Sequence, residues 1–255
     1  MSRLSSSFMN SHKLLVPFIT SGDPNADTTV AVAVAAAQAG ADAVVLGIPF
    51  SDPTVEGPVV RASSVRALEQ GATTAGALAI VDRIRQQCDI PLILGSYANV
   101  VLSYGIEQFA QDAAAAGADG VVLQDVPFEE RDEFAPILEN AGIELIRQVS
   151  PAALSRIPMV VSNANGFIWC AAELGGAPDN EALEAAITMT RSESSLPIVV
   201  EAGVSTSAEV AEIVQMADGV VVPAAVDALL TEYGDHAAEP VASLIAELAQ
   251  TAHEI

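Results

Sequence analysis

Short, continuous apolar runs alternate along this chain with longer segments in which alanine, valine and leucine recur at helical spacing. The runs lie at 14–20, 43–47, 91–95, 120–123, 144–149, 166–170, 197–201 and 219–222. Unbroken apolar runs of this length suit strands of a parallel sheet that is buried on both faces. The helical spacing predicts a first helix ending at Ala39, capped by Asn25 or Asp27. Further helices are expected at 63–70, 73–87, 106–116, 129–140, 180–191, 207–216 and 240–249, with a short one at 152–157. Glycines at 40, 117 and 142 supply helix stops, and Ala-Gly-Ala-Asp recurs before the second and fourth strands. The strand–helix unit occurs eight times. Such alternation implies an α/β fold with a parallel sheet, closed as a barrel or left open and doubly wound. No linker or second domain interrupts the pattern.

The stretch from Gly47 to Pro58 follows the second strand and carries two glycines, three prolines and the carboxylates Asp52 and Glu56. Proline fixes φ and glycine permits tight turns, so the loop is stiff. A stiff loop at the carboxyl end of a parallel strand is where α/β proteins place their chemistry, although an ordinary connection has the same composition. Gln124 ends the fourth strand, and Arg147 and Gln148 end the fifth. These polar groups are candidates for ligand contacts, and a solvent-facing strand end accounts for them equally well.

Composition narrows the partners. The 255 residues carry 33 acidic and 10 basic side chains, a net charge of -23. That field disfavours nucleic acid and anionic membranes, and disfavours an anionic substrate unless the site is locally positive. Lys13 is the only lysine, so no lysine Schiff base is expected. Cys88 and Cys170 belong to no metal-spaced motif, which suits a reduced, cytoplasmic protein. His12, His236 and His253 stand in polar terminal regions without metal-like spacing and are expected at the surface, so neither a metal nor a cofactor is expected. Residues 1–13 form a polar N-terminal segment without a signal core, and no apolar run is long enough to cross a bilayer. Dinucleotide, P-loop and nucleophile-elbow motifs are absent from the sequence.

Gly47-Ile48-Pro49-Phe50-Ser51-Asp52-Pro53, followed by Glu56-Gly57-Pro58, resembles the signature of the tryptophan synthase α subunit family. Pro17-Phe18-Ile19-Thr20-Ser21-Gly22-Asp23-Pro24, Tyr97-Ala98-Asn99, Tyr104-Gly105-Ile106 and Asp125-Val126-Pro127 match in the same order. The resemblance implies a (β/α)8 TIM barrel over residues 1–255 as a single domain. It also implies a lyase that cleaves indole-3-glycerol phosphate to indole and glyceraldehyde 3-phosphate, and a β-subunit partner. Family chemistry uses a strand-two glutamate as proton shuttle and a loop aspartate that stabilises charge on indole. Glu56 corresponds to the loop carboxylate, whereas Val45 stands where the glutamate is expected. Phe18, Tyr97 and Val122 correspond to positions lining the indole pocket, and Trp169 replaces a tyrosine there.

The phosphate end departs further from the family. Glu173 falls on the position of the family's loop arginine, and Pro178 or a neighbour on a phosphate-binding glycine. Glu201 and Pro223-Ala224 replace residues of the two glycine turns, and only Gly203 remains in register. The implied reading is a divergent α subunit with an impaired reaction, acting as an allosteric partner of a β subunit. The docking loops after strand two, near Asn99 and at Asp125-Val126-Pro127, remain. Two alternatives stay open: a repurposed lyase or aldolase on a small non-phosphorylated substrate, using Glu56 and Glu201, and a working lyase with a relocated acid.

Overall fold

The computed structural model describes residues 3–8, 12–172 and 180–255. Nine strand segments form one parallel sheet: β1 (Leu14–Thr20), β2 (Val44–Gly47), β3 (Leu92–Ser96), β4 (Gly120–Leu123), β5 (Glu144–Leu145), β6 (Arg147–Val149), β7 (Ile168–Ala171), β8 (Ile198–Glu201) and β9 (Gly219–Val222). Their order is β5-β4-β3-β2-β1-β9-β8-β7-β6. The two outermost segments are consecutive in the chain. Between them Ile146 donates its N–H to the Val121 carbonyl at 2.9 Å, so the ladder runs on and the ring closes. The fold is a (β/α)8 barrel whose fifth stave is interrupted once.

Alternation along the staves separates two cores. Leu14, Val16, Phe18, Val45, Ile93, Val122, Trp169, Val199 and Val221 fill the lumen. Leu15, Ile19, Val44, Leu46, Leu94, Val121 and Val220 face the helices. Gly47 and Gly95 make room for one ring: a Cβ on Gly47 would overlap Phe18, and one on Gly95 would stand 3.3 Å from it. The N-terminal segment is more than a polar tail. Arg3–Ser7 is helical, and Leu4 and Phe8 are buried against the foot of the lumen, with Phe8 stacked on Phe167 at 4.5 Å. Two apolar residues in a polar stretch carry no period, which is why the pattern does not predict the plug.

The repeated Ala-Gly-Ala-Asp has a structural role. Asp42 accepts the Leu15 N–H at 2.8 Å, and Asp119 accepts the Leu92 N–H at 2.9 Å. Asp218, in the same position before β9, accepts the Ile198 N–H at 2.9 Å. Each aspartate ties the start of its own strand to the start of the neighbouring one.

Several expected elements differ. Asn25 rather than Asp27 caps the first long helix, Ala26–Gln38, accepting the Thr28 N–H. The helix after β2 begins at Pro58, because proline lacks an N–H that the first turn does not use. The expected helix at 129–140 is a 3-10 segment, Phe128–Glu133, followed by Ala135–Asn140. Pro136 cannot donate to a preceding carbonyl, so one continuous helix cannot cross it. Helices Ala98–Tyr104 and Ala224–Tyr233 lie where none is expected. In both cases an apolar strand runs almost directly into an apolar helix and hides the change of period.

Candidate active site

The carboxyl ends of the staves and the loops after them form one mouth. The loop after β2 folds over it and places Glu56 half-buried beside Glu201, the last residue of β8. Trp169 projects from β7 into the top of the lumen, fully buried, and donates its Nε1–H to Glu201 Oε2 at 2.9 Å. Burial, the Glu201 charge and the Asp227 charge together push the Glu56 pKa up to about 8. Glu56 is therefore largely protonated at neutral pH, while the Trp169 N–H holds the Glu201 carboxylate in place.

Asp227 lies beneath this pair on helix Ala224–Tyr233 and is fully buried. It accepts the Thr20 hydroxyl at 2.8 Å and the Thr20 N–H at 3.3 Å. Burial raises its pKa to about 7 against those two bonds. Asp23 in the turn after β1 takes a bidentate contact from Arg66, at 3.0 and 2.6 Å. This network clamps the helix after β2 to β1 and thereby supports the Glu56 loop. Tyr97 is 3% exposed and packs against Phe50 at 5.1 Å. Burial, then the Glu56 charge, raise its pKa, and its hydroxyl makes no well-formed hydrogen bond among the described residues.

Two cavities share Val55, Glu56 and Glu201. The smaller, about 270 Å³, lies over β8 and β9 and is lined by Gly57, Pro58, Gly203, Pro223 and Ala224. Its titratable lining is the two glutamates, with no cationic side chain among the described residues. The larger, about 540 Å³, lies over β4 to β6 and includes Gln124, Phe128, Arg131, Arg147, Gln148 and Arg156. Gln148 donates to Gln124 across its inner wall at 2.7 Å.

The structure thus sorts the expected site residues into groups. Phe18, Val45, Val122 and Trp169 lie together in the lumen. Glu56, Glu201 and Gly203 lie around the smaller cavity. Tyr97 packs outside the lumen, in the layer between staves and helices. Glu173 and Pro178 fall outside the described residues. The histidine expectation is corrected in part. His12 and His253 both reach Asp42, at 2.8 and 3.0 Å, with ring centroids 4.2 Å apart. Packing of the C-terminal helix Ala238–His253 against Ala26–Gln38 brings them together, which no local spacing reveals. His236 is exposed in a 3-10 turn, as expected.

A family model described as tryptophan synthase alpha chain matches residues 4–254. The chain belongs to the tryptophan synthase alpha chain family. A tryptophan synthase alpha chain from Geobacter sulfurreducens is 39% identical over 242 residues, covering 91% of this chain and 92% of that protein. One from Halalkalibacterium halodurans is 37% identical over 245 residues, covering 94% and 92%. Among solved structures, tryptophan synthase subunit alpha from Legionella pneumophila superposes with a TM-score of 0.92 at 32% identity, covering all of both chains. A chain of tryptophan synthase from M. tuberculosis in its aminoacrylate-bound form superposes with a TM-score of 0.89 at 29% identity, covering 99% of this chain and all of that one.

The raised carboxyl pKa values have a measurable consequence in this alpha chain homologue. Glu56 ordinarily titrates near 4.5 and is raised to about 8 in the fold, so the folded state holds a proton that the unfolded chain releases. This contribution to stability is fully present below about 4.5 and is lost as pH rises through about 8. Asp227 acts in the same sense between 3.8 and about 7. Urea unfolding at a series of pH values is expected to show stability falling across this window, with Glu56→Gln flattening the upper part. Carboxyl NMR on Glu201→Gln is expected to show the Glu56 pKa moving down. A Glu56 pKa near 4.5 in the wild type overturns the placement of this side chain.

Proposed function

We propose that this protein is a tryptophan synthase alpha chain homologue with strongly reduced cleavage of indole-3-glycerol phosphate, which retains the role of β-subunit partner. The observation that carries the proposal is Val45. It is fully buried in the lumen beside Phe18 and Val122, at the position where the family resemblance calls for the proton-shuttling glutamate. Valine moves no proton, and a positioned acid or base typically contributes ~10²–10⁴-fold in rate. The smaller cavity supports the same reading. The Glu201 carboxylate lines it beside a largely protonated Glu56, Pro223 has no N–H to offer, and a phosphate dianion meets the Glu201 charge there.

The β-subunit reading rests on the loops. Pro53 is buried within the stiff loop after β2, and the Ala98 N–H donates to Asp125 at 2.8 Å, joining two of the docking segments into one rim. A rigid rim loses little entropy on association. The whole chain, 1–255, is read as one domain, and its free Cys88 and Cys170 suit a reduced cytoplasm. Indole release is the test, with and without the β subunit of the same organism, alongside sedimentation of the mixture at tens of micromolar. Little or no indole with a sedimenting complex is expected. Turnover typical of the family overturns the impaired reading, and absence of a complex overturns the partner reading.

A second reading is favoured by one specific observation. Glu56 carries its proton near neutral pH beside the Glu201 carboxylate, the division of roles that general acid–base catalysis needs. The pair suits a lyase or aldolase acting on a small non-phosphorylated substrate, and is also what a relocated acid in a working lyase would consist of.

A further inference from the structure

Arg147 opens β6 on the helix-facing side and is 6% exposed. Among the described residues it makes no hydrogen bond or ion pair, and its Nε is buried without a partner. The other buried or half-buried arginines of this acidic chain are satisfied. Arg66 is bound by Asp23 and Arg85 by Asp119, while Arg131 lies beside Asp132 at 3.4 Å. A guanidinium has five donors and no acceptor, and burying one unpaired is costly. Burial, then the Arg131 charge, lower the Arg147 pKa, against smaller opposing effects of the Glu139 and Asp132 charges.

The side chain lines the cavity of about 540 Å³. Arg131 stands in the same wall, 4.3 Å over the Phe128 ring, and Arg147 stands 6.0 Å from that ring. Arg156 also lines the cavity, but Glu129 engages it at 2.9 and 2.6 Å. Leu123, Val126, Ile157 and Val160 make much of the remaining wall apolar. Glu56, Asp125 and Glu201 also line it, with Asp125 already accepting the Ala98 N–H at 2.8 Å. The cavity is therefore polarised, with an unengaged guanidinium beside an apolar bed.

We infer that this cavity is a binding site for a small amphipathic organic anion, whose oxyanion is held by Arg147 and flanked by Arg131 while its apolar body lies on Phe128 and Val160. The guanidinium fork matches carboxylate and phosphate geometry, and a charge-assisted bond there relieves the unpaired donors. The guanidinium end lies over β4 to β6, and only Val55, Glu56 and Glu201 are shared with the smaller cavity over β8 and β9, so the inference does not depend on whether the lyase reaction survives.

Calorimetric titration of the full chain with 3-phenylpropionate, 3-phenylpropanamide, phenyl phosphate and inorganic phosphate tests the inference. Saturable binding of 3-phenylpropionate is expected, with the neutral amide weaker by about tenfold or more, the range of one charge-assisted hydrogen bond. Phenyl phosphate against 3-phenylpropionate tells which oxyanion the fork prefers, and inorganic phosphate tells whether the apolar body is needed. Arg147→Met is expected to remove the preference for the acid over the amide, with Arg147→Lys keeping part of it. Thermal melting adds a readout that a merely structural arginine would not give: Arg147→Met should melt no lower than the wild type, because an unpaired buried charge has been removed. The inference is overturned by equal affinity of acid and amide for the wild type, or by no saturable binding of either organic anion at tens of millimolar. Undiminished acid preference in Arg147→Met, or a large loss of stability in that variant, overturns it as well.

Discussion

The double variant Val45→Glu, Glu201→Gly is expected to release indole from indole-3-glycerol phosphate ~10²–10⁴-fold faster than the wild type, the range of one positioned acid–base group. Each substitution addresses one feature on which the proposed loss of activity rests. Glutamate at 45 places a carboxylate in the lumen layer of Phe18 and Val122, below the mouth. Glycine at 201 removes a charge from the smaller cavity and removes the second-largest cause of the raised Glu56 pKa. Glu56 then ionises more readily and can stabilise positive charge developing on indole. Val45→Glu alone is expected to gain less, because a further acidic group is added near Glu56 and Glu201 and disfavours ionisation of each. Glu201→Gly alone is expected to improve phosphate binding without supplying the proton shuttle. Circular dichroism of each variant shows whether the barrel tolerates the new lumen carboxylate. A folded double variant no faster than the wild type sinks the account of Val45, and wild-type turnover within tenfold of a typical family member makes it unnecessary.

Much of the barrel was legible because each stave is a continuous apolar run and each intervening helix has its own period. Asp42, Asp119 and Asp218 show what the repeated motif does, since each binds an N–H at the start of a neighbouring strand. The misses have local causes. Pro136 divides one expected helix, and Leu4 and Phe8 are too sparse to make a pattern. The site was legible only as a list of residue types. Glu56 comes from the loop after β2, Glu201 from β8 and Asp227 from the helix after β9, so their mutual repulsion exists only once the ring has closed. Burial decides the Glu56 pKa, and burial is a property of the assembled mouth. Likewise Arg147 and Gln148 are adjacent in sequence, yet Gln148 reaches Gln124 while Arg147 faces the helices unpaired. Only the pleat separates those two roles.

Trp169→Ala is expected to lower the unfolding free energy by about 3–5 kcal/mol, the usual range for truncating a buried tryptophan. The side chain is fully buried, and it joins the lumen core to the mouth. Below it Phe167 lies 6.3 Å away between ring centroids, in a column that continues to Phe8. Above it the indole N–H holds Glu201. Trp169→Phe separates the two roles, because it keeps most of the packing and removes the donor. Its expected cost is smaller, about 1–3 kcal/mol for a lost bond to a partly buried carboxylate. Urea unfolding followed by circular dichroism measures both, since the only tryptophan of the chain is the one replaced. In the wild type that same uniqueness makes fluorescence a direct report on the Trp169–Glu201 contact. Glu201→Gln should shift the emission while leaving the fold intact, whereas a substitution at the exposed rim, such as Asn99→Ala, should not. If Trp169→Ala costs less than about 1 kcal/mol, the lumen is not packed around this ring. In that case the position of Glu201, and with it the pairing to Glu56, must be set by some other contact.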